Sequence, residues 1–204
     1  MAVETKIGNL QRELIADKTV CIIIGTAAFT ILTILGAYIR FSLPFTPVPI
    51  TAQTFFVFLA GLFLGRRWSA VSQIGYLILG LGGLAVFAGG GGLLYLAGPT
   101  GGYLLGFIAC TWIIGRLIEL IPLDKLSNRL GFAWVVFSVF LGSLALYLLG
   151  IIQLMFLTKI NFSKAVSLGV FPFIPGYIIK MFSASLLFWK FRYRIREIFP
   201  LQRN

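Results

Sequence analysis

The sequence predicts an all-α membrane protein: a bundle of six transmembrane helices with the N-terminus and C-terminus both cytoplasmic. Three observations carry that expectation. Of the 204 residues, 59% are hydrophobic and 11% are charged, whereas soluble domains carry about a quarter charged residues. The apolar runs are mostly of helix length, not the short alternating segments of a barrel. The basic residues also alternate between linkers, thirteen on one predicted side and three on the other.

The expected spans are roughly 20–39, 52–65, 69–87, 101–121, 132–157 and 171–191. The first has no charged residue and follows a polar, mixed-charge segment (1–19) without a small-residue cleavage site. It is read as its own insertion signal rather than a cleaved leader. The second is short for a full crossing and is expected to tilt or to be completed by the Pro-rich segment before it. No second domain fits in the linkers, so 1–204 reads as one membrane domain with a basic tail at 190–204.

Cytoplasmic termini put Lys6, Arg12, Lys18, Arg66, Arg67, Arg116, Lys125, Arg129, Lys190, Arg192, Arg194, Arg196 and Arg203 inside. Only Arg40, Lys159 and Lys164 are then outside, and Lys180 falls within the last span. This is the positive-inside pattern, and Trp68, Trp134 and Trp189 sit near the same inner interface. All six carboxylates (Glu4, Glu13, Asp17, Glu119, Asp124 and Glu197) are on that side too. The net charge of +11 points to anionic headgroups of membrane lipids, not nucleic acid, because the basic residues flank apolar spans. The tail 190–196 reads as a headgroup anchor, or alternatively as a dock for a cytoplasmic partner. Cys21 and Cys110 fall inside spans and read as small buried apolar residues. With no histidine, His-based catalysis and His-ligated metals are excluded.

Three interrupted segments gather on the opposite, outer side. Irregular backbone cannot face lipid, so it must pack in protein or line a cavity. Residues 41–51 hold Pro44, Pro47 and Pro49, with Phe45 between them. The prolines predict a stiff, extended loop, either a connector or a gate over a pocket. Thr51, Gln53 and Thr54 follow and can offer hydrogen bonds, although Thr51 also reads as an N-cap. The second segment holds Gly89 to Gly92 and then GPTGGY at 98–103. Gly89 and Gly90 would let backbone approach a ligand closely. The helix starting near Gly101 would present free N–H groups to an anion. Tyr95 and Tyr103 read either as a ring-stacking wall or as interface aromatics. No GxxxxGK[ST] phosphate loop occurs.

The third segment, PFIPGYIIKMFSAS, puts Lys180 about one turn inside the last helix. An ammonium there needs a partner or water, unless it snorkels to headgroups. Tyr177 and Ser183 lie three residues to either side and share its helix face. No outer carboxylate is available, so a ligand oxygen is the expected partner.

These segments are similar to the signature of the BioY family. The likeness rests on PFTPVPITAQTFFVFLAGLFLG, GLAVFAGGGG, GPTGGYLLGF and PFIPG..IK, in order and with matching spacing, over about 36–187. BioY proteins are the biotin-binding membrane subunits, or S components, of energy-coupling-factor (ECF) transporters. The resemblance implies vitamin bound near the outer face, a separate transmembrane scaffold, and ATP used by two partner ATPase subunits. It implies a bacterial cytoplasmic (inner) membrane protein with no cofactor of its own. Two positions depart from the family pattern. An acid usually follows the final PG, where this chain has Tyr177. The usual Ala-xxx-Ala scaffold patch on the first helix becomes Ala27 and Ile31, with Thr26 and Thr30 as a small-xxx-small pair one position earlier.

The resulting expectation is a biotin-uptake subunit. Lys180 would meet a ligand oxygen, with Tyr177, Gln53 and Thr51 as hydrogen-bonding neighbours and Tyr103 and Tyr95 as a wall. Residues 41–51 would form the gate, and Thr26, Ala27 and Thr30 the scaffold interface. The rivals are a solitary secondary transporter or facilitator for biotin or a similar small carboxylate, and, more remotely, a membrane enzyme. The enzyme would lack an outer Asp, Glu or His for acid–base work.

Overall fold

The structure is a computed structural model that describes residues 18–122 and 124–199. Glu4, Glu13, Asp17, Lys6, Arg12 and Arg203, which entered the orientation argument, lie outside the described residues. Helix α1 is Lys18–Tyr38, and a two-stranded hairpin follows, β1 Arg40–Phe41 with β2 Ile50–Thr51. Then come α2 Gln53–Leu81, the single-turn α3 Leu93–Leu96 and α4 Gly101–Glu119. A 3-10 turn at Asp124–Ser127 leads into α5 Arg129–Thr158. The short α6 Phe162–Gly169 and a second 3-10 turn, Phe171–Phe173, precede α7 Ile174–Ile198.

Two expected spans, 52–65 and 69–87, correspond to the two arms of α2, which is folded back on itself. Gly65 has φ 75° and ψ −179°, a conformation that a residue without a Cβ adopts at little cost. A straight helix would hold Gln53 and Tyr76 about 34 Å apart at 1.5 Å per residue. Instead the Gln53 amide donates to the Tyr76 hydroxyl at 2.7 Å, so the two arms of α2 are antiparallel. Glu119 secures the turn: it accepts from the Arg66 amide at 2.8 Å and pairs with the Arg66 guanidinium at 3.2 Å. The second arm stops at Leu81, six residues before the expected end, because Gly82 and Gly83 follow and Gly83 has φ 93°. Among the described residues, five helical stretches are long and apolar enough to cross a membrane: α1, α2, α4, α5 and the stretch Phe162–Ile198 containing α7. The short α6 had no counterpart among the expected spans.

The bundle has two chemically different ends. At one end are the Gly65 turn, Glu119, Asp124 and Glu197. There Trp134 donates to the Leu117 carbonyl at 3.0 Å, and Trp189 to the Leu126 carbonyl at 2.9 Å. At the other end are the hairpin, the glycine segment and α6. The Tyr38 hydroxyl donates to the Ala85 carbonyl there, and Gln153 donates to the carbonyls of Leu96 and Gly98. The core between the ends is apolar and continuous, with Phe58, Leu62, Ile114, Val139, Leu146 and Phe188 almost fully buried.

The basic tail is not simply a headgroup anchor. Arg196 donates to the carbonyls of Leu62 and Phe63, at 2.8 and 3.0 Å, and covers the Phe188 ring. It caps the first arm of α2, whose last carbonyls have no helical partner. Arg192 folds back on the Trp189 carbonyl and ring, and Arg194 pairs with Glu197 at the exposed surface.

Candidate functional site

A cavity of about 60 Å³ opens at the loop end, below the roughly 300–1,000 Å³ of small-molecule sites, so a ligand of that size requires it to widen. Its polar groups come from Thr51, Gln53 and Thr54 at the start of α2, Thr100 before α4, and Lys180 of α7. Its aromatic wall is Tyr95, Tyr103, Phe107, Tyr147 and Phe173, and Val48 and Pro49 of the hairpin cover it. None of the lining residues is a carboxylate.

Lys180 reaches the cavity because α7 packs against the start of α2. Its ammonium donates to the Thr51 carbonyl at 2.6 Å and to the Thr54 hydroxyl at 3.1 Å. Both acceptors are neutral, so the charge has no counter-ion among the described residues, and an ammonium has a third donor to give. Thr51 does not cap α2: residue 52 occupies that position, and the Thr51 hydroxyl donates to Gln53 Oε1 at 3.0 Å. Gln53 is 2% exposed and is held from both sides, by Thr51 and by Tyr76.

The expected tyrosines separate. Tyr103 lines the cavity and donates to the Gly169 carbonyl at 3.0 Å, tying α4 to α6. Tyr95 stacks on Phe87, with centroids 5.2 Å apart. Tyr177 is not among the lining residues. Its hydroxyl accepts from Ser143 at 2.8 Å and donates to Met181 Sδ at 3.1 Å, and its ring packs edge-on against Phe58 and Tyr147. It stands behind the wall rather than beside Lys180, and Ser183 is exposed on the outside of α7.

Gly89 and Gly90 are also outside the lining. Phe87 and Gly90 close a tight turn through mutual main-chain hydrogen bonds, and Gly90 has φ 146°. A Cβ at residue 89 would meet the Tyr95 ring. The glycine that was expected to admit a ligand therefore admits a tyrosine. The start of α4 is less open to an anion than expected, since the Gly101 amide already donates to the Gly98 carbonyl.

Residues 41–51 form a hairpin rather than an extended loop, with Arg40 opposite Thr51 and Phe41 opposite Ile50. Pro44, Phe45 and Pro47 are exposed, while Val48 is buried over the cavity. The Thr46 hydroxyl donates to the Leu168 carbonyl at 2.8 Å and pins the tip to α6. On α1, Ala27 is exposed, but the Thr30 hydroxyl donates inward to the Ser72 carbonyl at 2.9 Å. Thr30 therefore turns toward α2, and both it and Thr26 are half-buried.

Sequence reasoning missed Tyr147 as a site residue. It sits in an unbroken apolar run, with no flanking punctuation to mark it. Its hydroxyl and that of Tyr95 have no hydrogen-bond partner among the described residues.

The fold and the site define a helical membrane protein with a small, mostly apolar cavity at one end and the Lys180 ammonium in it. Comparison with known proteins narrows that class. The chain matches the BioY family over residues 11–197 and belongs to it. It is 40% identical over 166 residues to the biotin transporter BioY of Thermotoga maritima, covering 81% of this chain and 92% of the relative. It is 38% identical over 165 residues to the biotin transporter BioY of Rhizobium etli, covering 79% and 88%. Among solved structures it resembles the S-component for biotin from an ECF-type ABC transporter, a 2.1 Å crystal structure. The TM-score is 0.79 and the identity 26%, over 87% of this chain and 94% of that one. These relatives are transporters, not enzymes.

Proposed function

We propose that this chain takes up biotin across the bacterial cytoplasmic membrane, capturing it at the outer face and delivering it inward. The observation that carries this reading is Lys180: an ammonium without a counter-ion among the described residues, set in a cavity whose described lining holds no carboxylate. The ligand best matched to it brings its own oxygen acceptors and an apolar ring system. Biotin has a ureido oxygen, a carboxylate and a fused bicycle, and its name is carried by the relatives.

In this reading Lys180 meets a ligand oxygen. Gln53 and Thr51 give adjacent hydrogen bonds, Tyr95, Tyr103 and Tyr147 flank the rings, and the hairpin 40–51 is the gate. The two arms of α2 count as separate crossings, which gives six spans with both termini cytoplasmic. The one-sided distribution of Arg and Lys supports that orientation. A scaffold membrane protein and ATPase subunits of the ECF type are the proposed partners, the structural neighbour being the S-component of such a transporter. Uptake without them is the second reading. It is favoured by the inward turn of Thr30, which removes one residue from the small-residue patch expected to face a scaffold.

Whole-cell uptake separates the two. Cells that require external biotin, express this chain and lack coupling subunits should not grow on trace biotin if the chain depends on partners. Growth restored by the chain alone would establish solitary uptake.

A further inference from the structure

The membrane-facing side of α5 is indented toward the end of the bundle that carries Glu119, Asp124 and Glu197. Two open grooves of about 450 and 610 Å³ lie there. The first runs between α5, from Phe132 to Phe140, and Phe182 of α7. The second runs between Trp134 of α5 and the segment holding Lys125 and Asn128. Ala133 and Phe137 line both, so the grooves pass on either side of one short strip of α5. Their walls are tied inward. The Trp134 indole donates to the Leu117 carbonyl at 3.0 Å, and the Trp189 indole to the Leu126 carbonyl at 2.9 Å. The Trp189 ring in turn holds Phe132 edge-on. Asn128 accepts from the Gly131 amide at 2.8 Å and joins the 3-10 turn to α5.

Lipid tails coat any apolar face of a membrane protein, and what singles out this one is the charge at its mouth. Lys125 is exposed and lines the second groove, and Arg129 is exposed on the first turn of α5. Neither has a hydrogen-bond or ion-pair partner among the described residues. Asp124, on the same turn as Lys125, has an interaction of its own, and none of the described lining residues is a carboxylate. Free cations beside apolar grooves fit an anion with a long apolar body. Depth fixes its size. From Arg129 to Phe140 α5 rises about 16 Å at 1.5 Å per residue, half of a hydrocarbon core about 30 Å thick. Together the grooves run from headgroup level to the bilayer midplane, the reach of acyl chains in one leaflet. A partner helix crossing the membrane would need about twice that length.

We propose that the grooves flanking Ala133 and Phe137 are a site for one anionic glycerophospholipid, with its phosphate on Lys125 and Arg129 and an acyl chain in each groove. The leaflet is the one at the charged end, which is the inner leaflet in the orientation proposed above. Basic pockets between membrane helices on that side are where anionic headgroups are recognised. The two cations lie at the opposite end of the bundle from the Lys180 cavity, so the site stands whether or not the chain binds biotin.

Native mass spectrometry of the purified full-length chain tests the proposal, with dioleoyl phosphatidylglycerol and dioleoyl phosphatidylcholine added in equal amounts. One phosphatidylglycerol per chain should be retained, at least tenfold in preference to phosphatidylcholine. Equal retention of the two would overturn the proposal. Lys125→Gln with Arg129→Gln should lower phosphatidylglycerol retention at least tenfold and leave melting temperature in phosphatidylcholine unchanged. Undiminished retention would overturn the headgroup assignment. Ala133→Trp keeps both cations and fills the strip between the grooves, and it should lower retention at least fivefold. If it does not fold, Ala133→Leu takes its place under the same criterion. Retention unchanged by the filled groove would mean diffuse attraction to a basic surface and would overturn the site. Arg194→Gln, which removes an exposed cation outside the grooves, should leave retention unchanged, and a loss as large as that of the Lys125 and Arg129 pair would also overturn it. A dimer broken by Ala133→Trp but not by phosphatidylglycerol would place a second copy of the chain in the grooves instead of a lipid.

Discussion

The ammonium of Lys180 donates to the main-chain carbonyl of Thr51 at 2.6 Å, joining the first turns of α7 to the closing strand of the hairpin. One cation thus faces the cavity and also holds its cover. A ligand oxygen that takes over this donor competes with the hairpin, and binding and gating become linked through one side chain. Lys180→Ala is expected to weaken biotin binding at least tenfold. Lys180→Met, which keeps the stem without the charge, should weaken it to a similar extent. Titration of the purified variants checks this, and an unchanged affinity would move the site elsewhere.

Tyr147 offers the cavity a hydroxyl that no described residue engages, whereas Tyr103 spends its own on Gly169. Tyr147→Phe should therefore weaken binding by about fivefold, the scale of one hydrogen bond worth about 1 kcal/mol. Tyr103→Phe should instead act on stability, by releasing α6. Parallel titrations and melting curves distinguish the two effects.

The hairpin tip is fastened by Thr46 to Leu168, 122 residues away. Thr46→Val keeps the shape and removes the donor. Faster exchange of bound biotin with little change in melting temperature is expected, and it can be read by chasing labelled ligand. A slower chase would contradict a covering role for the hairpin.

Arg196 satisfies two carbonyls at the end of the first arm of α2, far from the cavity. Arg196→Ala leaves them buried without donors, at about 1–3 kcal/mol. The melting temperature should fall while biotin affinity in the folded fraction stays the same. Arg194→Ala, which removes an exposed ion pair, should change neither, since such pairs contribute about 0–1 kcal/mol.

Much of the architecture is legible in the sequence because membrane crossing is governed by local quantities. Apolar run length, linker charge and backbone punctuation marked the helices and the end where the cavity lies. Lys180, Gln53, Thr51, Tyr95 and Tyr103 were legible because each is a polar or aromatic residue next to a Pro or Gly interruption. Tyr177 was misplaced because a three-residue spacing leaves side chains about 60° apart around a helix of 3.6 residues per turn. That offset turns Lys180 to the cavity and Tyr177 toward Ser143 and Phe58. The prolines of residues 41–51 pointed to stiffness but not to the hairpin, which depends on pairing between Arg40 and Thr51. Tyr147 lies in the middle of a helix, and its place in the cavity wall arises only from what packs opposite it.

The central claim is that this chain by itself holds biotin in the Lys180 cavity. Calorimetric titration of biotin into the purified full-length chain in detergent tests it most directly. The account predicts saturable binding of one biotin per chain at micromolar or lower concentration, weakened at least tenfold by Lys180→Ala. No saturable binding to the folded, unmodified chain at micromolar biotin would contradict it.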